Sequence, residues 1–248
     1  MELLTVPTLR SRHGFPTRAG GRSQGAWASL NSSLVVGDDE AAVRANLSLL
    51  ADAAGVTAAQ LITVKQVHGD RVVDAADALA TTEADALVTT SRGVAVGVRT
   101  ADCLPILIEA PGAGAVAAVH AGWRGVIADI VWRAIERLEA LGARRETLRL
   151  GIGPCIQRCC FEVDGDLPQR FEAAFGAEVV VREPGRQVRL DLVAAVRRSL
   201  ERGGVPAAHV AALPHCTSCD ARFFSHRRDH GITGRHLSFI TCGSASDL

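Results

Sequence analysis

The sequence predicts an α+β fold: a single domain, residues 1–248, with a mixed β-sheet flanked by helices. Three observations carry this reading. Short apolar or β-branched runs are interspersed with longer amphipathic segments, several of the runs stand close enough to be hairpin partners, and no repeat or low-complexity block divides the 248 residues. A long Pro/Ser/Gly linker is also missing, so one domain is the simplest organisation.

Taken in order, the first ~37 residues read as loop, with "TRAGGRSQG" (17–25) as a glycine-rich turn region. Asp38 or Asp39 caps a helix through "EAAVRANLSLLADAAG" that stops at Gly55. "LITVKQV" (61–67) reads as a strand, "HGD" as a tight turn and "RVVDA" as its hairpin partner. "GVAVGVRTADC" and "LPILIEA" are the next two strands, and "AGAVAAVH" (113–120) is a buried one. After the turn "AGWRG", an amphipathic helix covers about 126–141. "TLRLGIGP" is a strand, "DLVAAVRRSLERGG" (191–204) a helix with an acidic start and a glycine stop, and "HVAAL" and "HLSFIT" are late strands.

Composition bounds the function. Hydrophobic residues make up 48% and charged residues 22%, ordinary for a soluble globular chain. Net charge is +0, so no basic excess points to nucleic acid or a membrane surface. The N-terminus lacks a signal-like apolar region, and no run reaches the roughly 18 apolar residues of a membrane span. Seven cysteines, an odd count, argue against a complete disulfide framework and for a reducing compartment, the cytoplasm. Nothing in the sequence demands more than a monomer.

His68, Cys103 and His120 each close a strand or flank a turn, with small residues beside them. Two imidazoles and a thiolate form a zinc ligand set that leaves a fourth position open, the mark of a catalytic rather than a structural site. The same residues support a second chemistry, with Cys103 as nucleophile, a histidine as base and Asp102 orienting that histidine. Each residue is also compatible with an ordinary core role, and the gaps of 35 and 17 residues match no short zinc motif. A rival cluster is formed by Cys155, Cys159, Cys160, Cys216 and Cys219. Only Cys216 and Cys219 have C-x-x-C spacing, and the other three do not supply the matching pair of a zinc ribbon. Arg124 in "HAGWRG" precedes a helix, so a guanidinium and a helix start suit either a phosphate or carboxylate site or a plain surface arginine with Trp123 in the core. "FFSHRRDHGITGRH" combines aromatics with arginines, a pattern suited either to a stacked base and an anion or to a basic loop anchored in the core. Arg18 and Asn31 are polar candidates in early loops.

In their order along the chain, "HGFPTRAGG", "SLN", "KQVHGDRV", "EADALVT", "TADCLPILI", "AVHAGWRG", "GIGPCI…CFEV" and "FFSHRRD…TGR" resemble the laccase-domain family. Its members are described as multicopper polyphenol oxidase-like proteins, peptidoglycan editing factors or purine nucleoside phosphorylases. The resemblance runs from about His13 to Ile240 and implies a fold similar to the catalytic domain of cytotoxic necrotizing toxins. It implies a zinc site made by His68, Cys103 and His120, and an enzyme that splits adenosine, inosine and methylthioadenosine with phosphate and deaminates adenosine. On that reading Arg124 is the main phosphate clamp, Arg18 and Arg227 are further candidates, and Phe224 stacks the purine. Copper fits less well, because multicopper chemistry needs many more histidines than a chain with eight in all provides. A peptidoglycan-precursor editing hydrolase acting on muramyl peptides, or a non-catalytic purine- or metal-binding partner protein, are the alternatives. Two departures stand out: Cys155 where a small residue such as alanine is expected, and His226 where an aromatic is usual.

Overall fold

The computed structural model describes residues 1–244. Its strands are β1 (Leu3–Leu4), β2 (Ser11–Pro16), β3 (Leu61–Ile62), β4 (Val72–Asp74), β5 (Ala86–Thr89), β6 (Ala95–Thr100), β7 (Leu104–Ala110), β8 (Ala115–Ala121), β9 (Arg149–Ile152), β10 (Val180–Val181), β11 (Arg189–Leu190), β12 (Val210–Ala212) and β13 (His236–Ser244). Its helices are α1 (Glu40–Ala54), α2 (Trp123–Ile127), α3 (Ile130–Ala140), α4 (Leu167–Phe175) and α5 (Leu192–Arg202).

The strands form two mixed sheets, ordered β1-β2-β13-β6-β3 and β12-β9-β7-β8-β5-β4, with β10 and β11 as a separate pair. The period-2 alternation of side chains stacks them in layers. On β8, Ala115, Ala117 and Val119 join the cluster covered by α3, α4 and α5, while Val116 and Ala118 face the other sheet. On β13, Ile240 packs between the sheets, and Leu237 and Phe239 lie in the cluster covered by α1. The result is helix, sheet, sheet, helix. Both faces of β7 and β8 are covered, which explains their unbroken apolar runs. Pro105 is tolerated in β7 because the ladder to β9 starts only at Ile106.

The mixed α+β class holds, and so do most elements. Asp39 caps α1 by accepting from Ala42 N, and Gly55 ends it at φ 72°. The predicted hairpin of 61–67 with 71–75 does not form. β3 is two residues long and pairs parallel with β6, whereas β4 pairs parallel with β5 in the other sheet. The intervening segment turns back on Asp85, whose carboxylate accepts N–H groups from Val67, His68 and Gly69. The loop predicted for the first 37 residues contains β1 and β2, because β2 finds a non-local partner in β13. The helix expected over 126–141 begins at Trp123 and breaks at Asp129, which sits at φ 57° and accepts from Ser199 Oγ. Ser199 in turn accepts from Trp132 Nε1 at 2.7 Å, so the break is tied to α5. Three features escape the sequence reading: β5, α4, and the β10–β11 pair that closes beside α4.

Candidate metal centre

The two segments that cross between the sheets at one end of the sandwich each supply a site residue. The chain passes from β3 to β4 through His68, and from β6 to β7 through Ala101, Asp102 and Cys103. His120 stands near the end of β8, opposite Pro105, with its N–H on the Asp85 carbonyl. One donor atom from each of His68, Cys103 and His120 can be chosen so that all lie within 4.8 Å of one another. The two imidazoles meet edge to face, centroids 4.7 Å apart at 83°. His120 is buried, Cys103 half-buried and His68 exposed, so the group opens to solvent on the His68 side.

Backbone conformation confirms that these positions are held. His68 lies at φ 61° and Asp102 at φ 97°, a region rare for non-glycine residues and sustained only where the surroundings fix it. Gln66 bridges the two crossovers, donating to the Arg99 carbonyl and accepting from the Arg99 N–H, both at 2.7 Å. Asp102 does not touch a histidine, contrary to the orienting role considered for it. It accepts from Thr217 Oγ1 at 2.6 Å and from Arg227 N at 2.7 Å, and so anchors the later loops to Cys103.

The orienting acid is Asp85, which the sequence reading passed over. It is fully buried, and its Oδ1 lies 2.7 Å from His120 Nδ1. That contact leaves Nε2 as the free nitrogen of His120 and fixes the ring, the usual arrangement behind a metal-bound histidine. The signal in the sequence was a lone acid entering an apolar strand, "EADALVT", because such an acid must be paired. Burial would raise the Cys103 thiol, but His120 and His68 override it and bring it down to about 6. Burial likewise opposes charge on His120, yet Cys103 and Asp85 raise it to about 9. Without an ion the centre is therefore a Cys103 thiolate beside a His120 imidazolium, and a divalent cation binding there would take the place of the proton on His120.

Gly122 explains why a glycine follows His120-Ala121. A Cβ there would lie 3.0 Å from His68 Cδ2 and 3.2 Å from Cys103 Sγ. Its backbone, φ −70° and ψ 167°, is open to any residue, so the constraint is the site itself. Gly122→Ala is expected to fold normally and to weaken metal binding about tenfold or more, read by competition with a chelator.

The other predicted residues are placed as follows. Arg124 is exposed on the first turn of α2, its guanidinium 4.5 Å above Trp123. Arg227 directs its guanidinium to the carbonyls of Cys160 and Glu162. Asn31 is buried with its amide fully engaged: it donates to Ser33 O and Asp38 Oδ2, and accepts from Ser33 N and Arg235 N. Phe224 has no exposed face for a base, since it is 0% exposed between Arg18 at 4.7 Å and His236 at 4.9 Å. Arg18 is thereby committed to covering Phe224 and to the Ala28 carbonyl. His226 is exposed, and Cys155 is a core residue. Arg235 was missed. It is half-buried, its guanidinium donates to the carbonyls of Thr233 and Gly234 at 3.0 Å, and burial lowers its pKa against the opposing charges of Cys103 and Asp102.

His236 bears on pH rather than on the site. Burial, reinforced by Arg18, pushes its imidazole down to about 3, so it folds neutral. The unfolded chain takes up that proton near 6.5, so stability falls as pH drops from about 6.5 toward 3. In His236→Gln, unfolding free energy measured between about pH 6 and 4 is expected to fall less steeply, by up to ~1.4 kcal/mol per pH unit.

The sequence pattern of the family described as "Multi-copper polyphenol oxidoreductase laccase" matches residues 12–243. The chain belongs to this family. Among its relatives, a protein of Deinococcus radiodurans named "Purine nucleoside phosphorylase" is 42% identical over 240 residues, covering 97% of this chain and 92% of that protein. "Adenosine deaminase RL5", from an unknown prokaryotic organism, is 36% identical and covers 90% and 91% respectively. Among solved structures, YlmD from Geobacillus stearothermophilus superposes with a TM-score of 0.88 at 34% identity, covering 96% of this chain and 94% of that one. The family's fold is thus the double-sheet sandwich described above. No helix among the described residues is long and apolar enough to cross a membrane.

Proposed function

We propose that this chain is a zinc-dependent enzyme of purine nucleoside breakdown. It splits adenosine, inosine or methylthioadenosine with phosphate into free base and ribose 1-phosphate, and it deaminates adenosine. The observation that carries the reading is the His68, Cys103 and His120 cluster with Asp85 behind His120, in a chain whose relatives bear the names phosphorylase and deaminase. Two imidazoles and a low-lying thiol suit zinc, and three protein donors leave a position free, so the residues fit the ion. When bound, zinc would supply Lewis-acid polarisation at the reacting centre.

The chain's own groups do the rest. Asp85 holds His120 in one tautomer and orientation, and the buried wall of β8 excludes water from one side of the centre. In phosphorolysis the bond from C1′ to the base nitrogen breaks as a phosphate oxygen bonds to C1′, and the departing base takes a proton. Arg124, exposed on the first turn of α2, is the candidate to hold the phosphate against C1′, with Arg235, whose charge interacts with Cys103, as a second.

Incubating the zinc-loaded protein with adenosine or inosine, with and without phosphate, tests this. Phosphate-dependent release of base and ribose 1-phosphate, and ammonia from adenosine, are the expected products. No turnover of either nucleoside overturns the reading. One observation favours a second reading, a hydrolase acting on muramyl peptides: the depressed Cys103 thiol beside two histidines also suits a nucleophile. Turnover of muramyl dipeptides that survives metal removal, and is abolished by alkylating Cys103, would establish that chemistry instead.

A further inference from the structure

We propose that Cys159, Cys160, Cys216 and Cys219 form a second, structural metal site that binds zinc through four thiolates. The fold brings them together from two distant loops. β12 pairs parallel with β9, so the chain leaves both strands at the same end of the sheet. Cys155 and Cys216 extend that pairing as a parallel bridge, with Thr217 N on the Cys155 carbonyl at 3.0 Å. Four or five residues beyond Cys155 stand Cys159 and Cys160, and three beyond Cys216 stands Cys219. Their four sulfurs lie within 4.8 Å of one another.

The spacing suits an ion rather than a disulfide. Cys159 and Cys219 sulfurs are 3.6 Å apart, and Cys160 and Cys219 sulfurs 3.2 Å, and all four cysteines are free. A disulfide needs about 2.05 Å. Four sulfurs at about 2.3 Å from a central zinc stand about 3.8 Å apart. Cys216 also receives the backbone N–H of Gln157 at 3.4 Å, with the N–H groups of Ser218 and Cys219 aimed at it from its own turn. A Cys-x-x-Cys turn whose amides point at its first sulfur is arranged to hold a thiolate.

Charge on the surrounding residues is complementary. A zinc ion with four thiolates carries two net negative charges. Arg227 donates to the Cys160 carbonyl at 3.1 Å, and Arg189, which also pairs with Glu183 at 2.7 Å, donates to the Cys159 carbonyl. Binding is balanced without an oxidant: four S–H protons pass to solvent as four Zn–S bonds form. The consequence reaches the first centre, because Thr217 lies between Cys216 and Cys219 and donates to Asp102, the neighbour of Cys103. The second ion would brace the loop that anchors Asp102.

Metal analysis of the full-length protein, expressed with added zinc, tests the assignment. Two equivalents per chain are expected, falling to one in Cys103→Ala and to one in the double variant Cys216→Ser/Cys219→Ser. One equivalent in the unmodified protein with none left in Cys103→Ala overturns it. Cobalt loaded into Cys103→Ala, where the four cysteines are untouched, gives a second readout that does not depend on the double variant folding. Intense sulfur-to-cobalt charge-transfer absorption with tetrahedral ligand-field bands supports four thiolates. Absence of those bands, or loss of two thiols to a disulfide in the reduced, zinc-supplied protein, refutes them.

Discussion

Cys103→Ala is expected to empty the first centre and to lower nucleoside turnover by about a thousandfold, the few kcal/mol of transition-state stabilisation that a catalytic ion supplies. The reasoning is local. Cys103 is the sole sulfur of the cluster and sits on a three-residue crossover, so no neighbouring side chain can replace it. Alanine fits the half-buried position, and Asp102 keeps its bonds to Thr217 and Arg227, so the loop holds its shape. Metal content by mass spectrometry should fall by one equivalent as base release is lost, with little change in the far-ultraviolet circular dichroism. Full zinc occupancy at His68 and His120 with undiminished turnover would remove Cys103 from the mechanism.

Asp85 carries the second large effect, and two substitutions separate its roles. Burial works to raise its carboxyl, but His120 and the backbone N–H of Gly69 hold it below the usual carboxylate range. It accepts from Val67, Gly69 and His68 at 3.1, 2.8 and 2.9 Å, so it also builds the turn that carries His68. Asp85→Ala orphans those N–H groups and is expected to destabilise the fold by at least about 3 kcal/mol, measured by urea unfolding. Asp85→Asn keeps the volume and one acceptor oxygen but turns an N–H toward His120, favouring the tautomer that points Nε2–H at the ligand. Metal affinity should drop about 10–100-fold, with a much smaller loss of stability than in the alanine variant. Equal unfolding losses in both variants would mean that Asp85 acts on the fold alone.

The sequence was most legible where one physical rule acted alone. Asp39 and Gly55 mark α1 because capping is a local contest among a few residues. β7 and β8 stand out because burial on both faces leaves unbroken apolar runs. Which strands share a sheet was not legible. "LITVKQVHGDRVVDA" has the look of a hairpin, yet its halves pair with β6 and β5 in opposite sheets, a choice made by residues far along the chain. The same holds for the centre. His68, Cys103 and His120 could be named from their turns, and they do converge, but Asp85 acts through a contact 35 positions away that no spacing announces. Phe224 had the composition of a stacking platform and is instead sealed in the core, since aromatic-plus-arginine patterns look alike in either setting.

The crossovers that carry His68 and Cys103 have a mechanical meaning. At this end of the sandwich they take the chain from one sheet to the other, so a ligand gripping both is a rivet between layers as well as a chemical tool. An ion bound to the native state alone, at a hundred times its dissociation constant, would add about 2.7 kcal/mol to global stability. In hydrogen exchange, slowing should be concentrated at residues 66–69 and 99–104, at the seam. Stripping the ion would then loosen the closure between the two sheets at that end while β7 and β8, buried on both faces, stay protected.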